Sequence, residues 1–231
     1  MSSSAFTNVF PGLEVGDLPD NPDPRAPCVI LLDVSGSMSG RPIDELNNGL
    51  KAYQAAIRSD RLTSRRVEIC LVTFGGTVQV TQPFVEARHF EPPTLATSGE
   101  TPMGAAILEG IKLLDQRKSE LRHKGIPYYR PWLWLFTDGG PTDGASTWRS
   151  ACDAVQAGET SAFTFFSVGV GGANMSKLGE LSTKKAPVSL DGVDFTKFFL
   201  WLSASQRVVS QSQPGQSGIT LPPPDWTNIS L

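Results

Sequence analysis

The chain has 231 residues, of which 39% are hydrophobic and 22 are glycines; this length fits one large domain better than two, and this composition excludes wholesale disorder. Twenty Lys and Arg against twenty-three Asp and Glu give a net charge of −3. Because the chain lacks the positive field that binds a phosphate backbone, we expect no nucleic-acid partner.

Short, unbroken apolar runs predict strands that are buried on both faces of a parallel sheet. After the Gly75-Gly76 turn, Val78 and Val80 alternate with polar residues, which predicts an antiparallel edge strand. Helical spacing of apolar residues follows most strands. The predicted strands are 28–33, 66–74, 77–81, 132–137, 162–170 and the short 187–190. The predicted helices are centred on residues 42–57, 101–124, 148–155, 175–181 and 195–202.

The alternation of strands and helices predicts an α/β fold: a doubly wound, mostly parallel six-stranded sheet with one antiparallel edge strand and helices on both faces. We predict that this fold occupies a domain at 27–209 and is flanked by two terminal segments. These are an N-terminal surface segment at 1–26 and a Pro-, Ser- and Gln-rich tail at 210–231. Candidate anchors of these segments are Phe6, Val9, Phe10 and Trp226.

The expected compartment follows from two further observations. No run approaches the eighteen or so apolar residues of a membrane span, and the N-terminus lacks the pattern of a signal peptide, so we expect no membrane partner. The three cysteines, Cys28, Cys70 and Cys152, have no CxxC spacing, which is typical of buried thiols in a reducing compartment. The protein is therefore expected to be cytoplasmic.

Oxygen-bearing side chains follow two of the buried strands, at the edge where doubly wound sheets bind ligands. Asp33 and Asp138 end these strands, and Ser35 and Ser37 lie on the turn after Asp33. Thr101 opens a predicted helix, where its hydroxyl is placed to cap the helix or to face the same crevice. Two carboxylates and three hydroxyls are hard ligands that suit Mg²⁺, Mn²⁺ or Ca²⁺ and not zinc or copper.

These motifs resemble those of the von Willebrand factor A (VWA) domains that carry a metal-ion-dependent adhesion site. The carriers of the resemblance are Asp33-Val-Ser-Gly-Ser37, Thr101-Pro102 and Thr137-Asp138-Gly139, and it covers about residues 27–205. It implies a metal held by Ser35, Ser37 and Thr101, with Asp33 and Asp138 bound directly or through water. The stretch Asp33–Pro42 and the Pro-rich end are also similar to the TerY group, cytoplasmic bacterial proteins associated with tellurium resistance.

The predicted function follows from this ligand set. A six-coordinate ion with three hydroxyl ligands keeps positions for water, one of which the Asp or Glu of a partner protein can replace. The chain is thus expected to be a metal-dependent interaction module without enzymatic activity, with Mg²⁺ as the first choice of cation. The TerY resemblance implies a protein kinase and a phosphatase as partners.

Two alternatives remain open on the sequence. A Mg²⁺-dependent phosphohydrolase of the haloacid dehalogenase type also has an Asp at the end of its first buried strand, but it usually needs a second acid two residues later, where this chain has Ser35. A scaffold with a purely structural metal would use the same residues. An EF-hand is excluded because Met38 stands where the loop glycine belongs, and no phosphate-binding G-x-x-x-x-G-K-[ST] motif occurs.

Overall fold

A computed structural model of the protein describes residues 21–190 and 194–224. The predicted anchors Phe6, Val9, Phe10 and Trp226 lie outside these residues. The strands in chain order are β1 (Ala26–Asp33), β2 (Val67–Gly75), β3 (Thr77–Glu86), β4 (Trp132–Thr137), β5 (Thr164–Val170) and β6 (Val188–Leu190). The helices are α1 (Arg41–Arg58), α2 (Arg61–Arg66), α3 (Met103–His123), α4 (Ala145–Gly158), α5 (Met175–Gly179) and α6 (Phe195–Gln211).

The described strands form one sheet in the order β3-β2-β1-β4-β5-β6. All neighbouring pairs are parallel except β2 and β3, which form the antiparallel edge. The chain therefore builds outward from β1 in one direction and then from β4 in the other, so the strand order reverses between β1 and β4. This arrangement confirms the predicted fold class and locates the crevice where such sheets bind ligands.

Helices cover both faces of the sheet because side chains of a strand alternate between its faces. On β1, Ile30 and Leu32 belong to the apolar core beneath α1 and α6, whereas Val29 and Leu31 belong to the core beneath α3 and α4. All four side chains are fully buried. Strands that are apolar on both faces are thus explained by two separate helix layers.

Three local features differ from the sequence prediction. The short helix α2 was not predicted, and β3 continues to Glu86, well beyond the predicted end at residue 81. Helix α3 begins at Met103, and its N-cap residue, Pro102, makes no side-chain capping bond. Of the two roles that the sequence left open for the Thr101 hydroxyl, the structure therefore does not show the helix cap.

The chain ends of the described region pack against the domain. Arg25 is buried and donates to Glu68 of β2 at 3.2 Å, while Trp201 Nε1–H donates to the carbonyl of Pro222 at 2.8 Å. The three cysteines are buried and free of disulfide bonds. No helix in the described ranges has the length and apolar character to cross a membrane. The division of the chain into three segments stays a prediction.

Candidate metal site

Strand pairing brings the two predicted aspartates to the same edge of the sheet. Leu32 of β1 is paired with Phe136 of the parallel strand β4, so the residues that follow, Asp33 and Thr137, are neighbours at the carboxyl ends of both strands. The Thr137 hydroxyl donates to Asp33 Oδ2 at 2.5 Å. Asp138 comes next in the chain and lies at the point where the strand order reverses.

Asp33 forms the buried floor of this edge. Its side chain has no solvent exposure, and its second oxygen, Oδ1, accepts from the Ser35 backbone N–H at 2.8 Å. Burial raises the pKa of Asp33 above its ordinary value, against the opposing effect of hydrogen bonds from Ser35 and Thr137. Within the described residues, neither Asp33 nor Asp138 forms an ion pair with a basic side chain. A buried carboxylate without a counter-charge favours a bound cation.

The two serines extend this floor to the surface. Ser35 is 2% exposed, and its Oγ lies 3.1 Å from Ser37 Oγ. Ser37 is exposed and donates its hydroxyl to Asp138 Oδ1 at 2.7 Å. Oxygens from the β1 loop and the β4 loop therefore converge, with a buried side at Asp33 and an open side at Ser37 and Asp138.

Thr101 reaches the same edge from the loop before α3. Its backbone N–H donates to Thr142 Oγ1 at 3.1 Å, and its carbonyl accepts from the Thr142 N–H at 3.0 Å. The side chain is buried, a Cβ built on Gly139 would lie 4.0 Å from Thr101 Oγ1, and none of the side-chain hydrogen bonds in the described ranges involves that hydroxyl. Thr101 thus brings a free hydroxyl beside the residue that follows Asp138.

Glycines allow the three loops to approach one another this closely. The N–H of Gly36 donates to the carbonyl of Gly99 at 2.9 Å. A Cβ on Gly99 would lie 2.5 Å from Gly76 Cα, and a Cβ on Gly75 would lie 2.6 Å from the carbonyl oxygen of Val34. Gly75 and Gly76, which the sequence indicated only as a hairpin turn, therefore also admit the loop that carries Thr101.

The cap of α3 comes from a distant part of the chain. Asp143 Oδ2 accepts from the Gly104 N–H at 2.6 Å, and Oδ1 accepts from the Ala105 N–H at 3.1 Å. Both oxygens are thereby engaged at the start of the helix, where a negative charge is stabilised by the helix dipole. Sequence reasoning missed this role, as it missed the part of Thr142 in holding Thr101.

The five predicted residues thus meet at one edge of the sheet. They supply two carboxylates and three hydroxyls, a set of hard oxygen donors that fits Mg²⁺, Mn²⁺ or Ca²⁺. Among residues 21–190 and 194–224, no group of three or more His, Cys, Asp or Glu side chains is placed to hold a metal. A cation held here would therefore need the hydroxyls of Ser35, Ser37 and Thr101 besides the two carboxylates.

Comparisons with known proteins agree with this architecture. The family model for the von Willebrand factor type A domain matches residues 28–199, whereas no curated protein matches the sequence. Among solved structures, the pilus adhesin SpaC from Lactobacillus rhamnosus GG, in its open conformation, aligns with 77% of this chain and 29% of its own, at a TM-score of 0.58 and 15% identity.

Two further structures have the same fold. Proximal thread matrix protein 1 from the mussel byssus aligns over 81% of this chain and 49% of its own, with a TM-score of 0.54 and 17% identity. The D319A mutant of the PilB minor pilin from Streptococcus sanguinis aligns over 83% of this chain and 64% of its own, with a TM-score of 0.57 and 14% identity. The chain spans less than two thirds of each of these larger proteins. By the family match and the shared fold, the chain belongs to the von Willebrand factor type A domain family.

Proposed function

We propose that this domain binds a partner protein through a divalent cation, with Mg²⁺ as the first choice and Mn²⁺ or Ca²⁺ as alternatives. Asp33, Ser35, Ser37, Thr101 and Asp138 are the residues that would hold it. The observation that carries the proposal is the fully buried Asp33, which has no basic partner within the described chain and lies beneath converging hydroxyls. When bound, the cation would supply an electrophilic centre for an Asp or Glu of the partner.

The chain's own residues prepare that centre. Ser35, Ser37 and Thr101 are neutral donors, so Asp33 and Asp138 bring only two negative charges against the two positive charges of the cation. Ser37 is exposed, which leaves one side of the site accessible to another molecule. A third carboxylate from outside is thus accommodated without strong repulsion from the site itself.

The family and the sequence motifs support an interaction role and a cellular setting. Type A domains commonly mediate protein interaction or adhesion, and the similar structures include an adhesin and a minor pilin. The resemblance of Asp33–Pro42 to the TerY group supports a cytoplasmic, bacterial, tellurium-resistance or stress-response setting, with a kinase or a phosphatase as the partner. Neither nucleic acid nor membrane is part of the proposal.

A non-enzymatic role is also part of the proposal. The phosphohydrolase alternative usually needs a second acid two residues after the nucleophilic Asp, and Ser35 occupies that position. Of the later acidic pair Asp138 and Asp143, both oxygens of Asp143 accept backbone N–H groups of α3. The direct test is hydrolysis of p-nitrophenyl phosphate in Mg²⁺ by the wild type and by Asp33→Asn. Hydrolysis that Asp33→Asn abolishes would replace the interaction role with the enzymatic one.

The test of the metal site compares two neighbouring serines. Ser37→Ala removes a proposed ligand, whereas the matched control Ser39→Ala removes an exposed hydroxyl that pairs with Thr97 Oγ1 at 2.8 Å, outside the proposed ligand set. We expect Mg²⁺ to raise the melting temperature of the wild type and of Ser39→Ala. The affinity of Ser37→Ala for Mg²⁺ is expected to fall at least about tenfold, because loss of even an outer-shell partner of a metal typically costs that much. Calorimetric titration measures that affinity.

Partner dependence is tested with the immobilised full chain in a bacterial lysate, with Mg²⁺, with chelator and with Asp33→Ala. A protein retained only by the wild type in Mg²⁺ is the expected result. Retention of the same proteins in all three samples would show that binding does not depend on the cation and would favour the scaffold with a purely structural metal. Absence of any Mg²⁺ effect on melting or titration would remove the metal from the proposal altogether.

A further inference from the structure

A cavity opens near the candidate metal site, between α4 and α5. It has a volume of about 500 Å³, which lies in the range of ligand-binding pockets. Trp148 and Cys152 of α4, both less than a tenth exposed, line it together with Pro141 and Ala145. One wall of the cavity is therefore apolar, and Ala145 and Pro141 are its more exposed members.

The charged side chains that line this cavity differ in whether they have hydrogen-bond or ion-pair partners. Glu180 accepts from Trp148 Nε1–H at 2.7 Å and from Lys177 Nζ at 2.9 Å, and these bonds hold the pKa of Glu180 below its usual value. The carboxylate of Asp143 is engaged by α3. Arg149 is exposed, and its guanidinium forms no ion pair or hydrogen bond with any residue in the described ranges. Arg149 is thus the one charged side chain of this lining that has neither a hydrogen-bond nor an ion-pair partner in the described part of the chain.

The cavity lies within a few residues of the edge of the sheet that carries Asp138. Pro141 lies three residues after Asp138, so their Cα atoms are at most about 11 Å apart. On the other side, the N–H of Asn174, which caps α5, donates to the carbonyl of Gly139 at 3.2 Å. One extended segment of about three to six residues is long enough to reach from the metal site into the cavity.

We propose that this cavity is the second half of the partner-binding surface and accepts an extended acidic segment. The first carboxylate of that segment lies at the metal site, a following apolar side chain packs against Trp148, and a second carboxylate pairs with Arg149. This inference depends on the proposed metal-dependent function and adds the charge pattern of the partner to it. Arg149 is accordingly a specificity-determining residue.

The probe is a displayed peptide library with one fixed Asp and six random positions on each side. Peptides are selected on the full chain in Mg²⁺ and eluted with chelator. We expect the eluted peptides to carry a second Asp or Glu three to six positions from the fixed Asp, more often than the starting library. Failure to obtain any chelator-sensitive peptide would contradict the proposed function itself and this inference with it.

A selected peptide then tests Arg149 directly by fluorescence anisotropy. Arg149→Ala is expected to weaken binding at least about fivefold, because a charge-assisted pair is lost. The matched control is Arg61→Ala, which removes another exposed arginine without an ion-pair partner in the described region. Arg61 begins α2, which leads into the amino end of β2, whereas the metal site lies at the carboxyl ends of the strands, so this variant is expected to leave binding unchanged.

Charge reversal completes the test. A peptide in which Lys replaces the second acid is expected to bind Arg149→Glu at least about tenfold more tightly than the original peptide does, since the interaction is restored with its signs exchanged. Equal affinities of the wild type and Arg149→Ala for a chelator-sensitive peptide would overturn the role of the cavity and leave the metal-dependent function intact. Selected peptides without a second acid would overturn it in the same way.

Discussion

Replacement of Asp143 by alanine removes both acceptors that hold the first turn of α3. Loss of a capping side chain costs about 0.5–2 kcal/mol, and loss of a negative charge at a helix N-terminus costs about 0.3–1 kcal/mol more. Gly104 is buried, so water does not readily replace the bond of 2.6 Å that its N–H donates to Asp143. We therefore expect Asp143→Ala to lower the free energy of unfolding by about 2 kcal/mol, and Asp143→Asn, which keeps one acceptor, by about half as much.

Urea denaturation at pH 7 measures this effect as a lower midpoint with an unchanged m-value, and the melting temperature should fall by about 4–8 °C. The control is Thr101→Val, which removes the hydroxyl for which the sequence left a capping role open and nearly preserves the side-chain volume. Because that hydroxyl makes no side-chain hydrogen bond in the described region, we expect a cost below about 0.5 kcal/mol. An Asp143→Ala variant as stable as the wild type, or a Thr101→Val variant equally destabilised, would refute this account of the cap.

Two further predictions concern the helices on the other face. Gly49→Ala places a Cβ 2.8 Å from the ring of Phe199 where α1 crosses α6, so we expect overpacking to cost about 1–3 kcal/mol in urea denaturation; a neutral substitution would show that these helices move apart easily. Asp60 caps α2, and its hydrogen bonds with Thr63 hold the pKa of Asp60 below the ordinary value. Its stabilisation is therefore present above the unfolded-state pKa of about 3.9 and is lost as the pH falls through the folded-state value. We expect Asp60→Ala to cost about 1 kcal/mol at pH 7 and distinctly less near pH 2.5, whereas a gap that widens in acid would contradict the sign of this shift.

Patterns that repeat along the chain were sufficient to predict most of the fold. The apolar runs at β1 and β4 predict strands with two buried faces, and the structure provides a helix layer for each face. The helix α2 was not predicted because Leu62 is the only apolar residue among its six, so this segment has no apolar periodicity. Its stability comes from the Asp60 cap and from the hydroxyl contact of Thr63 with Ser210 of α6 at 3.0 Å, which depends on tertiary structure.

In the candidate site, too, one part could be predicted from the sequence and another could not. Asp33, Ser35 and Ser37 are adjacent in the chain, and strand pairing brings Asp138 beside them, so local motifs and fold class together predict their meeting. The cap by Asp143 joins residues 39 and 38 positions apart. A single sequence contains no periodic or local pattern that marks such a contact, and a plausible local cap at Thr101 concealed it.

That long-range cap bears on the chemistry of the proposed site. Asp143 lies in the same loop as Asp138 and is the third carboxylate near this edge, but its oxygens are turned to the backbone of α3. If it were free to bind the cation, three carboxylates would outweigh the two positive charges, and the acid of a partner would be repelled. Because both oxygens of Asp143 are held at the N-terminus of α3, the proposed cation would meet two carboxylates of this chain, Asp33 and Asp138, and a third carboxylate would have to come from a partner.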